Sequence, residues 1–366
     1  MKAEYLMLAQ VYDPDKHSVA GSYVSEKLDG TRAYWDGGVS RGARLTDVPW
    51  ANIWDKKGGL KANLPEFATG LWSRYGNPIM APDWFLNQLP CCPLDGELWA
   101  GRGSFQDCRS IVSRNEPDER WRDIRFAVFG SPSPGRVYSN RNIKGSNIQL
   151  SIDAGAAYGF AMQRLEAGVL EDYKGLPSDA TFADEIAFLN GLIDDRDNVY
   201  IHHQRLLSSN EAEAQEQLGI YMNSVVDMGG EGVMLRKSGS FWVPGRTYDL
   251  LKVKPFQDDT AVITGFTSGR LTDKGSKHRG RIGALITDYN GQRLELSGMT
   301  DKERQFATPE MEKYAYENPG VDMPSHFQGA EIKVGDTVEF RYVGHQTDAG
   351  LPKEARFTRV VCTTKA

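Results

Sequence analysis

The sequence changes character at Pro255, and that change limits what the chain can fold into more than any other feature. Beyond it, Thr260–Phe266, Ile282–Asp288, Arg293–Ser297, Thr337–Val343 and Thr358–Cys362 are short runs rich in β-branched and aromatic residues, set apart by turn-forming residues. Five short strands within about a hundred residues predict a small all-β barrel, with the OB-fold as the candidate. At 366 residues the chain is too long for one compact core. Two domains are expected: residues 1–255, mixing strands and helices in an α+β arrangement, and residues 256–366, the barrel.

Within 1–255 the elements read in order. Short strands and turns run from Tyr5 to Trp50, and the polar stretch Asp47–Leu71 reads as an insertion. A strand and turn follow over Leu71–Ile79, then a short helix around Pro82–Gln88. Cys92–Trp99 reads as a strand broken at Asp95-Gly96, and Phe126–Phe129 as a buried strand. Ser131–Gly159, rich in Ser, Pro, Gly and Asn, reads as a long loop or insertion. Helical patterns cover Thr181–Leu192 and Asn210–Met228, the second with Ser208, Ser209 or Asn210 as its cap and a stop at Gly229-Gly230. Gly232–Arg236 and Tyr248–Lys254 read as strands, and alternation in the second places Lys252 and Lys254 on one face.

Composition excludes several functions. A net charge of -6 argues against a protein that coats nucleic acid through its overall field, so any phosphate binding falls to local patches. Arg270, Lys274, Lys277, His278, Arg279 and Arg281, interleaved with glycines, make one such patch, although the same residues alone also describe a solvated hairpin. Four cysteines without C-x-x-C spacing give neither a zinc site nor a disulfide framework. The adjacent His202-His203 pair would point to opposite faces of a strand, which favours structural roles over metal binding. No apolar run approaches the roughly 20 residues that span a bilayer, and no secretory signal opens the chain. A cytoplasmic protein that does not engage membranes is expected.

The stretch with chemical content is Ser25-Glu26-Lys27-Leu28-Asp29-Gly30-Thr31-Arg32-Ala33-Tyr34-Trp35, a strand, a turn and a second strand. An amine such as Lys27 becomes a nucleophile when desolvation or a nearby cation lowers its pKa, and Arg32 or a metal could supply the cation. Lys-x-Asp-Gly-x-Arg resembles the nucleotidyl-lysine motif of DNA ligases, RNA ligases and mRNA capping enzymes. Further matches occur in that superfamily's order: Ser73-Arg74-Tyr75-Gly76-Asn77-Pro78-Ile79, Leu94-Asp95-Gly96-Glu97-Leu98-Trp99, Glu231-Gly232-Val233-Met234 and Leu251-Lys252-Val253-Lys254-Pro255. Together they resemble the ATP-dependent DNA ligases from Ser25 to Val361, and most closely the minimal bacterial and phage enzymes.

That resemblance implies a nucleotidyltransferase (adenylation) domain followed by an OB domain, and a monomer that seals nicked duplex DNA in repair, replication or recombination. ATP is implied as the substrate that leaves AMP on Lys27, with magnesium as the metal. Lys252 and Lys254 would neutralise the α-phosphate, Glu97 would take the ribose hydroxyl, and Glu231, with Glu97, would hold the metal or its waters. Arg32 and Arg74 would contact ribose or phosphate, Phe129 would stack on adenine, and Glu26 would line the nucleotide site. Arg270, Lys274, Lys277, Arg279 and Arg281 would grip DNA. Arg359 is assigned to pyrophosphate, and Arg41 is a weaker alternative to Arg74. One departure stands out: the family usually carries Phe-Asp where this chain has Phe129-Gly130. An RNA ligase or a capping-type guanylyltransferase would share the lysine motif, and a non-catalytic binder on the same scaffold is the reading from another class.

Overall fold

The computed structural model describes residues 6–55, 57–137, 154–168, 170, 172–193, 198–271, 277–346 and 350–363. The chain separates into two compact units, Met1–Val253 and Lys254–Ala366.

The strands of the first unit are β1 (Met7–Val11), β2 (Ser22–Glu26), β3 (Thr31–Asp36), β4 (Leu71–Ser73), β5 (Pro93–Trp99), β6 (Arg125–Gly130), β7 (Val199–Ile201), β8 (Arg205–Leu206), β9 (Val233–Lys237) and β10 (Gly245–Val253). Its helices are α1 (Asp83–Leu86), α2 (Phe105–Val112), α3 (Pro134–Val137), α4 (Ala154–Glu166), α5 (Phe182–Asn190) and α6 (Glu211–Asp227). The strands form two five-stranded sheets, ordered β1-β10-β9-β2-β8 and β4-β3-β5-β6-β7. The chain leaves the first sheet at Glu26 and enters the second at Thr31, so residues 27–30 connect the two.

Each sheet has one face committed to helices. Helix α6 packs Ala214, Leu218 and Val225 against Val24, Val233 and Leu235 of the first sheet. Because side chains alternate along a strand, the burial of Val233 and Leu235 against α6 turns Met234 and Arg236 to the other face. On the second sheet, Leu94, Phe126 and Val128 pack with Phe85 of α1, Ile111 of α2 and Leu189 of α5. A third cluster joins Trp50, Trp72 and Trp242 to Ala157 and Ala161 of α4.

The helix signals are met where the caps are strong. Asn210 caps α6 by accepting from the Glu213 amide at 3.1 Å, and Gly229 follows the helix at φ +81°. Thr181 and Asp184 form a reciprocal capping box at the start of α5. Three expectations are corrected. The segment 131–159 is not wholly a loop, since α3 lies within it and α4 starts at Ala154. The alanines there favour helix, and burial of Ala157 and Ala161 outweighs the cost of Gly155 and Gly159. Strand β5 runs unbroken through Asp95-Gly96, which show only a register shift against β6. Strand β10 ends at Val253, so Lys254 lies outside the strand that carries Lys252.

The second unit contains β11 (Phe256–Ser268), β12 (Ile282–Tyr289), β13 (Gln292–Leu296), α7 (Pro309–Glu317), β14 (Thr337–Gln346) and β15 (Pro352–Cys362). Its sheet is ordered β13-β12-β11-β14-β15, with every neighbouring pair antiparallel. The two outer strands are also joined. Ser297, just past β13, bridges Arg356 of β15 in parallel, and its carbonyl accepts from the Phe357 amide at 2.7 Å. Phe266, Leu285, Leu296, Phe306, Phe340 and Phe357 fill the core of this unit. All five predicted strands are present; helix α7, which starts after Thr308 and has Pro309 as its first residue, has no counterpart in the expectation.

Candidate active site

A cleft of about 960 Å³ opens in the first unit. Glu26, Lys27, Arg32, Arg74, Glu97, Phe129 and Lys252 all line it. Residues from five separate stretches of sequence therefore meet in one concavity.

Lys27 follows β2 directly. Its amide donates to the Gly232 carbonyl at 2.8 Å, which fixes the backbone beside the start of β9, and its ammonium is ion-paired with Glu231. Gly30 is needed where the chain crosses between sheets: a Cβ there would collide with the Leu98 carbonyl and crowd Glu97. Glu97 sits on β5 opposite Arg32 of β3. Burial pushes its carboxyl up to about 7, against the opposing pull of Arg32 and Lys27. A carboxyl poised near neutrality can bind either as an acceptor or, when protonated, as a donor.

Other expected residues are already engaged by protein. Arg32 is held in a two-point fork by Asp95, with Nε to Oδ1 at 2.6 Å and Nη2 to Oδ2 at 2.7 Å, and its guanidinium lies 4.6 Å from the Phe129 ring centroid. Asp95 also accepts from Trp242 Nε1 at 3.1 Å. Glu26 lines the cleft, but its carboxylate is forked by Arg102 at 2.7 and 2.8 Å. Arg74 stacks over its neighbour Tyr75, 4.5 Å from the ring centroid. Arg41 pairs instead with Asp83 at 2.6 Å and Asn87 at 2.8 Å, and is not among the residues lining the cleft.

Lys254, Arg270, Lys277, Arg279, Arg281 and Arg359 belong to the second unit. There Lys254 pairs with Glu354 at 2.9 Å and Arg359 with Glu339 at 2.9 Å. Arg279 lies over Tyr316, 3.9 Å from the ring centroid, while Lys277 and Arg281 are 3.4 and 3.9 Å from Asp301. Lys274 lies outside the described residues.

Several participants were not singled out from sequence. Asp95 lies within Leu94-Asp95-Gly96-Glu97-Leu98-Trp99, a run in which the resemblance gives a role to Glu97 alone. Arg236 shares the cleft face of β9 with Met234, as period-two alternation from Met234 would have indicated. Its partner Glu185, 2.7 Å away on α5, carried no sequence signal, because the pair joins residues 51 positions apart. That pair accounts for Gly130. A Cβ on residue 130 would stand 2.8 Å from Glu185 Oε2, so an α5 carboxylate occupies the space beside Phe129-Gly130. Gly130→Asp is therefore expected to lower stability by about 3 kcal/mol, because a second buried carboxylate would meet the first. Urea unfolding would check this, and a neutral result would mean that Glu185 can swing aside.

The geometry can be set beside known proteins. A curated DNA ligase of Haemophilus influenzae is 20% identical over 356 residues, covering 97% of this chain and 91% of that one. A solved structure from a study of Lig E DNA ligases, described as binding DNA with a minimal scaffold, is 26% identical with a TM-score of 0.58, covering 97% and 98% of the two chains. The chain resembles the ATP-dependent DNA ligases, minimal bacterial ones included. The structure of Pmar-Lig_PreS3, 18% identical with a TM-score of 0.54 over 97% of this chain and 67% of its own, shares the fold. No protein-family model matches. In this ligase-like chain the cleft therefore lies in the unit that holds every motif up to Lys252.

Proposed function

We propose that this enzyme is an ATP-dependent DNA ligase that seals 5′-phosphate/3′-hydroxyl nicks in duplex DNA through lysyl-AMP and adenylated DNA. The observation that carries the reading is the convergence of Lys27 with Glu97, Arg74, Phe129 and Lys252 in one cleft. In the first step Lys27 Nζ, having given up a proton, bonds to the α-phosphorus of ATP as the bond to pyrophosphate breaks. AMP then passes to the 5′-phosphate of DNA, and the 3′-hydroxyl displaces it. Phosphoryl transfer of this kind is mainly positioning and charge neutralisation. Lys252 projects from β10 into the cleft and Arg74 from the turn after β4, so both can meet phosphate oxygens.

Magnesium is implied by the resemblance. Among the described residues no cluster of three or more metal-ligating side chains occurs. That fits an ion that takes one or two carboxylates and completes its shell with phosphate and water. Glu231 and Glu97 are the oxygen donors near Lys27 that would hold it. When bound, it would neutralise phosphate charge. The Glu231 carboxylate meanwhile keeps the Lys27 amine in place.

The same reading takes residues 1–255 as the adenylation domain and 256–366 as an OB-fold. Support for the barrel comes from the order β13-β12-β11-β14-β15, the tie from Ser297 to β15, and the helix between β13 and β14. The second unit would grip DNA through Arg270, Lys274, Lys277, Arg279 and Arg281. The ion pairs of Lys277 and Arg281 with Asp301 are exposed and long, so phosphates can replace that carboxylate at little cost. Replacing Lys277, Arg279 and Arg281 with alanine should weaken binding to nicked duplex and reduce the slope of log K against log salt by about 2 to 3. An unchanged slope would make the loop a solvated hairpin. The protein would act as a monomer in the cytoplasm; none of the described helices is long and apolar enough to cross a membrane.

Incubation with α-labelled ATP and magnesium, followed by denaturing electrophoresis, tests the proposal. A covalent band supports it, a band from GTP alone would point to a capping-type enzyme, and no band from either would point to a non-catalytic binder.

A further inference from the structure

The two adjacent histidines have different surroundings. His203 is exposed, whereas His202 is only 7% exposed and lines the cleft. The His202 amide donates to the Val128 carbonyl at 2.7 Å, extending the β6–β7 pairing by one residue, and His202 and Phe129 both line the cleft. Its Nε2 is 2.8 Å from the carbonyl oxygen of Glu26, the residue before Lys27. A carbonyl oxygen can only accept, so Nε2 carries the proton. Burial holds the imidazole below its ordinary value, which keeps the ring neutral. Nδ1 is then a bare acceptor, and it makes no hydrogen bond among the described residues. Phe129 and Met234, which also line this cleft, are apolar.

We propose that His202 reads the nucleobase edge, its Nδ1 accepting from the 6-amino group of adenine and thereby selecting ATP over GTP. The proposal rests on the reading of the cleft as a nucleotide site. Adenine presents an amino donor at position 6, whereas guanine presents an oxygen acceptor that would face the Nδ1 lone pair. The backbone tie to Glu26 makes this a fixed acceptor one residue from the nucleophile, so base choice and α-phosphate placement are set from the same turn.

The test compares the full chain with His202→Ala, His202→Gln and His202→Asn, using equilibrium binding of ATP and GTP alongside labelling by each. Gln places an amide near the Nε2 position and can keep the Glu26 tie, whereas Asn places an oxygen near the Nδ1 position. The Ala and Gln variants are expected to lose about tenfold in the ATP-to-GTP affinity ratio, mainly in KM rather than kcat when labelling is followed. Asn should restore most of it. Thermal unfolding identifies any variant that has simply lost its fold. The proposal is overturned if well-folded Ala and Gln variants keep the wild-type ratio, or if Gln restores it and Asn does not, since the tie to Glu26 would then be the whole role. Absence of any covalent adduct in wild type would count against the ligase reading, whereas the binding ratios would still decide the role of His202.

Discussion

Lys27→Ala is expected to abolish the covalent adenylate, lowering adduct formation by about 10⁴-fold or more, as removal of an enzyme's nucleophile does. The amine is held from two directions, by the Lys27 amide on the Gly232 carbonyl and by the Glu231 carboxylate on Nζ. Other amines border the cleft, Lys61 and Lys252 among them, but they come from different elements and the turn that delivers Lys27 does not position them. Lys27→Arg should be equally inactive, because a guanidinium stays protonated and offers no free pair. ATP binding should survive in both variants, since Phe129, Glu97 and Lys252 remain in place. The measurement is adduct on a denaturing gel beside ATP affinity. Labelled protein from either variant would remove Lys27 as the nucleophile.

Asp95→Ala should produce the largest loss of stability in the first unit, on the order of 3–5 kcal/mol. The Asp95 side chain is 3% exposed, with Arg32 itself only 18% exposed, so removing the carboxylate leaves a guanidinium without its partner in a largely enclosed wall. The Trp242 indole would also lose its acceptor. Asp95 sits between Tyr34 on β3 and Gly130 on β6, so the damage falls at the centre of the second sheet. Against a typical total of about 5–15 kcal/mol this would leave little margin. Asp95→Asn keeps one acceptor and most of the shape and should cost less. Both are read from urea unfolding, with adduct formation followed in parallel because a released Arg32 would no longer stay over Phe129. A loss below about 1 kcal/mol for the alanine variant would mean that water replaces the carboxylate and that the fork contributes little.

Features that depend on near neighbours in the chain can be read without the fold. Thr181 and Asn210 mark where α5 and α6 begin because capping is a matter of three residues, and the five runs after Pro255 become strands because period and turn chemistry are local. The resemblance to ATP-dependent DNA ligases also implied one site for Lys27, Glu97 and Lys252, and all three line one cleft. Helix α4 was hidden because glycines in 154–159 weaken the local signal, and its helix depends on Ala157 and Ala161 packing with Trp50, Trp72 and Trp242. Which charges are engaged by other protein groups depends on the fold. Arg32 and Glu26 look alike in sequence as ligand contacts, yet Asp95 and Arg102 hold them through forks made across strands and loops. Gly130 reads as a missing carboxylate until α5 brings Glu185 within 2.8 Å of the place its Cβ would occupy. His202 reads as structural until the fold brings it to the cleft that Phe129 also lines and the Glu26 carbonyl fixes its tautomer. Such partners are chosen by the folded geometry, because an ion pair or hydrogen bond requires proximity in space and leaves no period in the chain to announce it.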